Sequence, residues 1–224
     1  MSGQTAPVLT VHPKAQLAAQ TPQGMNMFFG FHDISPWAPD GQTLLALRLA
    51  PEWQSMADTI NPAEICLWDS DNGEIEVVGT TACWNFQQAA RQQWLPDGTG
   101  RFCFNTLNDA GECAAEIVDP LSRSRKTIPG GLYAVAPGAE WGVAPDFGVL
   151  AKRWPAYGYA SLKDLPSPQD PASFGITRVD LDTGIGEILI SLKDVLDHWD
   201  GDARGSPQGD GHFRTHPGIS PNGK

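Results

Sequence analysis

A turn that starts at proline recurs four times along the 224 residues, as Pro39-Asp40-Gly41, Pro96-Asp97-Gly98, Pro137-Gly138 and Pro221-Asn222-Gly223. Proline sets φ at the first corner, Asp or Asn accepts hydrogen bonds from the backbone that follows, and Gly tolerates positive φ, so the tripeptide specifies a tight reversal. Two places before each proline stands a large apolar residue: Trp37, Trp94, Val135 and Ile219. This is the pattern of an inner strand whose side chain is buried between packed sheets. A second register supports the first. Leu67-Trp68-Asp69, Ile117-Val118-Asp119 and Arg178-Val179-Asp180 each precede a polar turn, and Asn72-Gly73 and Thr183-Gly184 lie in the first and third of these turns. β-rich runs such as Thr43 to Leu47, Phe102 to Phe104, Ile75 to Val78 and Glu187 to Ile190 supply the remaining strands.

Four strands per repeat is the content of a propeller blade. The expected fold class is therefore all-β, a partial β-propeller of four-stranded antiparallel blades. Blade one runs from about 29 to 80, blade two from about 84 to 129 and blade three from about 132 to 192; the first strand of a fourth lies at about 212–224. Residues 25–224 form the propeller segment and 1–24 an N-terminal segment. In that segment Val8-Leu9-Thr10-Val11 is either a ring-closing strand or part of a disordered tail. Rings usually close at about four to eight blades, so the chain is expected to be a fragment of a longer propeller. Ser191 to His198 reads as a short amphipathic helix, followed by a Gly-rich loop over Gly201 to Gly211.

The meander fixes which end carries function. Tight turns follow strands one and three, so the connections after strands two and four share the opposite end with the beginnings of the inner strands. That end receives the long insertions, Ala50 to Ala63, Gly148 to Phe174 and Leu196 to Gly211. It also receives His32 and Asp33 in blade one, Gln87, Gln88 and Arg91 in blade two, and His212 and His216 in blade four. The blade-three insertion adds Arg153, Tyr157 and Tyr159. Each candidate has a structural alternative. His32 and Asp33 can hydrogen-bond to each other, Gln87, Gln88, Gln92 and Gln93 can satisfy backbone groups between blades, and the tyrosines can pack a long loop. His212 and His216 look like a metal pair, but Pro217 and Gly218 oppose a helix, and an extended strand separates the rings by roughly 13 Å. One imidazole acting as base or ligand fits better than two on one ion.

Composition excludes several classes. A net charge of −11 with only 15 Lys and Arg opposes nucleic-acid binding. No run of about 18 apolar residues and no signal-peptide pattern occur, so no membrane partner is expected, and a cytoplasmic location is, with a periplasmic one left open. Cys66, Cys83, Cys103 and Cys113 form no CxxC pair and read as buried free thiols. Gly-rich phosphate loops and Gly-x-Ser-x-Gly elbows are missing from the sequence.

Three stretches carry a family resemblance: Phe31-His32-Asp33-Ile34-Ser35-Pro36, Trp84-Asn85-Phe86-Gln87-Gln88 with Gln93-Trp94-Leu95, and His212-Phe213-Arg214-Thr215-His216. Through them, and over about Phe29 to Lys224, the chain resembles TolB-like (PD40-type) propeller repeats and the oligogalacturonate-lyase-like propellers of bacteria. The resemblance implies β-elimination at a uronate-containing oligosaccharide, assisted by a divalent metal ion or an Arg. His212 and His216 are then the metal candidates, and His32 and His216 compete as base. Tyr157 or Tyr159 is the acid, and Asp33, Gln87, Gln88, Arg91 and Arg153 are the substrate contacts. The alternative is a non-catalytic propeller that binds a saccharide or protein partner on the loop-rich end, with Trp53, Trp154, Tyr157 and Tyr159 as contact surface.

Overall fold

The computed structural model describes residues 13–14, 20–22, 24–53, 55–198 and 216–222. The strands it describes form three four-stranded sheets. The first contains β1 (Asn26–Phe28), β2 (Thr43–Leu49), β3 (Ala63–Asp69) and β4 (Ile75–Thr81). The second contains β5 (Gln93–Trp94), β6 (Phe102–Leu107), β7 (Cys113–Val118) and β8 (Arg125–Pro129). The third contains β9 (Ala134–Val135), β10 (Trp141–Pro145), β11 (Gly175–Asp180) and β12 (Gly186–Ser191). Within each sheet the strands lie side by side in chain order and pair antiparallel. Each sheet is a meander blade, and together they make a partial β-propeller.

The turns form for the reasons legible in the repeat. Asp40 Oδ1 accepts from the backbone N–H of Gln42 and Thr43, and Gly41 sits at φ +73°. Asp97 does the same for Thr99 and also holds Arg101 at 2.5 Å. At the strand-three turns Asp69, Asp119 and Asp180 each receive two backbone N–H groups from the residues two and three positions on. Hydrogen bonds of this kind hold the Asp40 and Asp180 carboxyls below the usual carboxylate range, and Asp119 is held there first by the Ser122 side chain and then by the Ser122 backbone N–H.

Sheet-on-sheet packing makes the core, and β6 shows how. Its side chains alternate: Phe102 and Phe104 point at blade one, against Leu45, Leu47 and Ile65, while Cys103 joins Ala115, Ile128, Leu132 and Val179 toward blade three. A strand buried on both faces reads as a continuous apolar run, which is why Phe102-Cys103-Phe104 carries no polar alternation. The cysteines are free; Cys66, Cys83 and Cys103 are buried and Cys113 is half-buried. Burial pushes Cys66 up to about 11 and Cys103 up to about 12, leaving both as neutral thiols.

The inner strand of blade one is not continuous, and it begins ahead of the expected start near Phe29. Phe28 pairs with Leu47, but the next contact with β2 is Trp37 with Leu44. Phe29 to Ser35 therefore leaves the sheet as a loop before the Pro36 carbonyl accepts from Leu45, and His32 and Asp33 ride on that loop. Both long connections, 50–62 and 146–174, join second to third strands and share the end of this loop. The later one contains α1 (Phe147–Arg153), N-capped by Asp146, and a 3₁₀ turn at Ala160–Leu162 that packs against another at Met56–Ile60 in the earlier one. The expected helix after blade three is α2 (Leu192–Asp197), started by a capping box between Ser191 and Asp194. The expected strand Val8 to Val11, the loop Gly201 to Gly211 and His212 lie outside the described residues. Among the described residues no helix is long and apolar enough to cross a membrane.

The third-strand turns offer a clean stability test. Their fifth residue is left-handed in all three blades: Gly73 at φ +79°, Gly184 at +73° and Arg123 at +59°. The Arg123 side chain gives little in return, a 3.7 Å contact with Glu76 in which both groups are well exposed. Arg123→Gly is expected to raise stability by about 0.5–1 kcal/mol and Gly73→Ala to lower it by about 1 kcal/mol, read from urea unfolding midpoints.

Candidate functional site

Three blades meet at one guanidinium. Asn85 Oδ1 accepts from the backbone N–H of Gln87 and Gln88, closing a tight loop in which Ala89 (φ +50°) and Arg91 (φ +51°) are both left-handed. Strained non-glycine backbone of this kind persists only where the surroundings hold it. The loop turns the Arg91 side chain inward, where it is 1% exposed. Its Nη1 and Nη2 donate to the two carboxylate oxygens of Asp33 at 3.0 and 3.1 Å, and its Nε and Nη2 donate to the backbone carbonyl of Tyr133 at 3.0 and 2.6 Å. The same guanidinium lies 3.7 Å above the Tyr133 ring. Asp33 comes from blade one, Arg91 from blade two and Tyr133 from the start of blade three.

Over this junction sits His216. Its ring is 5.4 Å from Phe31, 5.9 Å from Tyr133, 6.2 Å from Trp154 and 5.0 Å from Tyr157, and its Nε2 is 3.4 Å from the side-chain nitrogen of Gln88. The result is a cup of four aromatic rings around one imidazole. Burial and then the neighbouring Arg91 charge hold the imidazole below its ordinary 6.5, so it is neutral at pH 7. Tyr157 reaches the cup because Gly158 lets the loop press on α1. A Cβ at Gly158 would lie 2.2 Å from the Ala151 Cα. The Asn85 side-chain amide then holds the carbonyls of Tyr157 and Gly158 at 3.0 and 3.2 Å.

The tertiary structure thus brings together His32, Asp33, Gln88, Arg91, Tyr157 and His216. His32 stands beside Phe31, ring centroids 4.2 Å apart, and is exposed. Asp33 pairs with Arg91 rather than with the adjacent His32, because the buried cation is the stronger partner. That pairing also changes the expected role of Arg91: four of its five N–H groups are occupied, so it is a brace and not a free clamp for a substrate carboxylate. Tyr159 is elsewhere. It is fully buried, stacked on Phe147 at 5.0 Å, and its hydroxyl accepts from Asn105 at 2.8 Å. Two residues from Tyr157, it belongs to the core of the insertion. Arg153 is exposed in the last turn of α1, and Gln87 is exposed in its loop. Gln92 and Gln93 satisfy backbone groups, Gln92 reaching the Phe29 carbonyl and Gln93 those of Arg91 and Tyr133. Tyr133 was not among the sequence candidates. Applying to blade three the inner-strand-start rule that selected Gln88 and Arg91 in blade two points directly at it.

No metal site is assembled around His216 among the described residues, and His212, its expected partner, lies outside them. The described residues contain no group of three His, Cys, Asp or Glu side chains able to share an ion; His216 is the one imidazole beside Gln88, and the Asp33 carboxylate is occupied by Arg91.

No protein-family model and no curated protein matches the chain. Among solved structures it is similar to TolB from Acinetobacter baumannii, with 15% identity over 73% of this chain and 32% of that one and a TM-score of 0.42. It is also similar to an oligogalacturonate lyase from Vibrio parahaemolyticus, with 11% identity, 79% and 57% coverage and a TM-score of 0.35. A third is an oligogalacturonate lyase in complex with manganese, with 12% identity, 79% and 56% coverage and a TM-score of 0.35. The chain spans from about a third to just over half the length of these structures. The likeness concerns the propeller fold, which the three sheets establish independently.

The Arg91 brace and the His216 environment each predict a measurable outcome. Asp33→Ala strands a buried cation, so it should cost about 2–3 kcal/mol in chemical denaturation, less than a fully buried pair because the Asp33 side chain is 41% exposed. The His216 imidazole should titrate below 6.5 by NMR. A folded-state value below the unfolded one means that the contribution of this contact is complete above pH 6.5 and is lost as pH falls through the lowered value.

Proposed function

We propose that the loop-rich end of this partial propeller binds an oligosaccharide, with the accessible rings of Phe31, Trp154 and Tyr157 around His216 as its contact surface. The observation that carries the reading is the convergence of four aromatic rings on one neutral imidazole, Phe31 from blade one and Tyr133, Trp154 and Tyr157 from blade three. Aromatic faces take the apolar faces of sugar rings, and an imidazole and a phenol beside them supply the few polar contacts that orient a ligand. The acidic surface and the occupied Arg91 argue against a polyanion as the natural partner of this chain alone.

A second reading, β-elimination at a uronate, is favoured by the same neutral His216. In it the imidazole removes the proton next to the carboxylate, the electron pair forms the new carbon–carbon double bond, the glycosidic C–O bond breaks, and Tyr157, 5.0 Å from His216, gives the leaving oxygen its proton.

Titration of the purified chain with neutral and acidic oligosaccharides, followed by tryptophan fluorescence, should detect binding through Trp154, whose ring lies 4.3 Å from Tyr157 and is partly exposed. Trp154→Ala should weaken that binding about tenfold or more. Absence of a response to every saccharide removes the binding proposal. Incubation with uronate oligomers, with and without chelator, decides the elimination reading: no ultraviolet absorbance from new double bonds under any metal condition eliminates it.

A further inference from the structure

In two residues that neighbour both Arg91 and His216, a buried polar atom has no hydrogen-bond partner among the described residues: the side-chain oxygen of Gln88 and the hydroxyl of Tyr133. Gln88 is 0% exposed and Tyr133 1%. Buried polar groups are nearly always paired, so each of these atoms marks a position for which the described residues supply no partner. The other such atom, Trp68 Nε1, belongs to β3 in the sheet of blade one. Gln88 and Tyr133 are joined through Arg91, whose side chain donates to neither of the two atoms. Arg91 lies over the Tyr133 ring, its backbone N–H donates to the Gln88 carbonyl, and both side chains face the His216 imidazole.

The chemistry of the missing partner follows from what each atom can do. The Gln88 oxygen only accepts, and turning the amide over leaves its nitrogen unpaired instead, so the partner must be able to donate or to accept. The Tyr133 phenol is kept protonated by burial and does both. A sugar hydroxyl meets every one of these demands. A carboxylate meets few: it cannot donate to Gln88, the neighbouring Asp33 repels it, and Arg91 already has Asp33 and the Tyr133 carbonyl on four of its five N–H groups.

Building on the saccharide reading of this site, we propose that Gln88 and Tyr133 are its specificity-determining residues, receiving hydroxyl groups of an uncharged sugar ring, and that the cup therefore selects neutral over acidic saccharides. His216 stands against Gln88, and its side chain must turn aside for a sugar hydroxyl to reach both atoms.

The test compares two probes that differ only at C6, an α-1,4-linked galactose trimer and the corresponding galacturonate trimer. Each is titrated calorimetrically into the full chain at one ionic strength. The neutral trimer should bind about tenfold tighter or more. Tyr133→Phe removes an orphan hydroxyl, so it should leave the thermal midpoint unchanged or raised while weakening the neutral trimer about tenfold. If this variant does not fold, Gln88→Met carries the same affinity comparison. Equal or tighter binding of the galacturonate trimer overturns the proposal while leaving the saccharide site intact. A Tyr133→Phe variant that is less stable but binds the neutral trimer normally also overturns it, since the hydroxyl then serves an internal water. Binding of neither trimer overturns the saccharide reading itself.

Discussion

The functional end of this chain depends on one buried charge. A guanidinium at 1% exposure, as Arg91 is, is tolerated only with its donors satisfied. Asp33 supplies a bidentate carboxylate and Tyr133 a carbonyl and a ring face. The cation and its two partners come from consecutive blades, so meeting the needs of Arg91 fixes the relative positions of three loops. The carboxylate is partly solvated, which reduces the net stabilisation of the pair. Its larger consequence is geometric: with Arg91 placed, Gln88 is held one turn away and Tyr133 beneath it.

Around that brace the blades are joined by two kinds of contact. Apolar contacts come from the alternation of strands such as β6, which sends Phe102 and Phe104 to one neighbour and Cys103 to the other. Polar contacts sit where loops cross between blades. Asn105 pairs with both backbone groups of Leu132 and with the Tyr159 hydroxyl, and Trp94 Nε1 donates to the Pro36 carbonyl at 2.7 Å. Loops carry backbone groups that no strand partner satisfies, so side-chain amides are used where loops are buried. The Asn and Gln residues near the inner-strand starts are divided accordingly: Asn85, Gln92, Gln93 and Asn105 complete the scaffold, and Gln88 is left with an unpaired oxygen facing the cup.

Tyr157 and Tyr159 show how small the margin between scaffold and site can be. They are two residues apart in one loop, yet one ring joins the cup and the other stacks on Phe147 in the core. The close approach of Gly158 to α1 sets that division, because the chain there lies flat on the helix and sends neighbouring side chains in different directions. A rule based on residue type and loop position selects both tyrosines alike.

What the sequence by itself determined is local. The Pro-Asp-Gly turns, the Asp turns after third strands and the apolar runs between them specify four-stranded meanders, because each device acts within a few residues of itself. From strand direction alone it also follows which end carries the insertions and the polar inner-strand starts. Only the tertiary structure decided that Arg91 is a brace for Asp33, that Tyr133 belongs to the site and that Tyr159 does not. The first two rest on contacts between residues 42 and 58 positions apart in sequence, Arg91 with Tyr133 and with Asp33, and the third on the stack of Tyr159 on Phe147 and its hydrogen bond with Asn105, 54 positions away. Which buried charge finds which partner is settled by how the blades pack, and no local pattern encodes that choice.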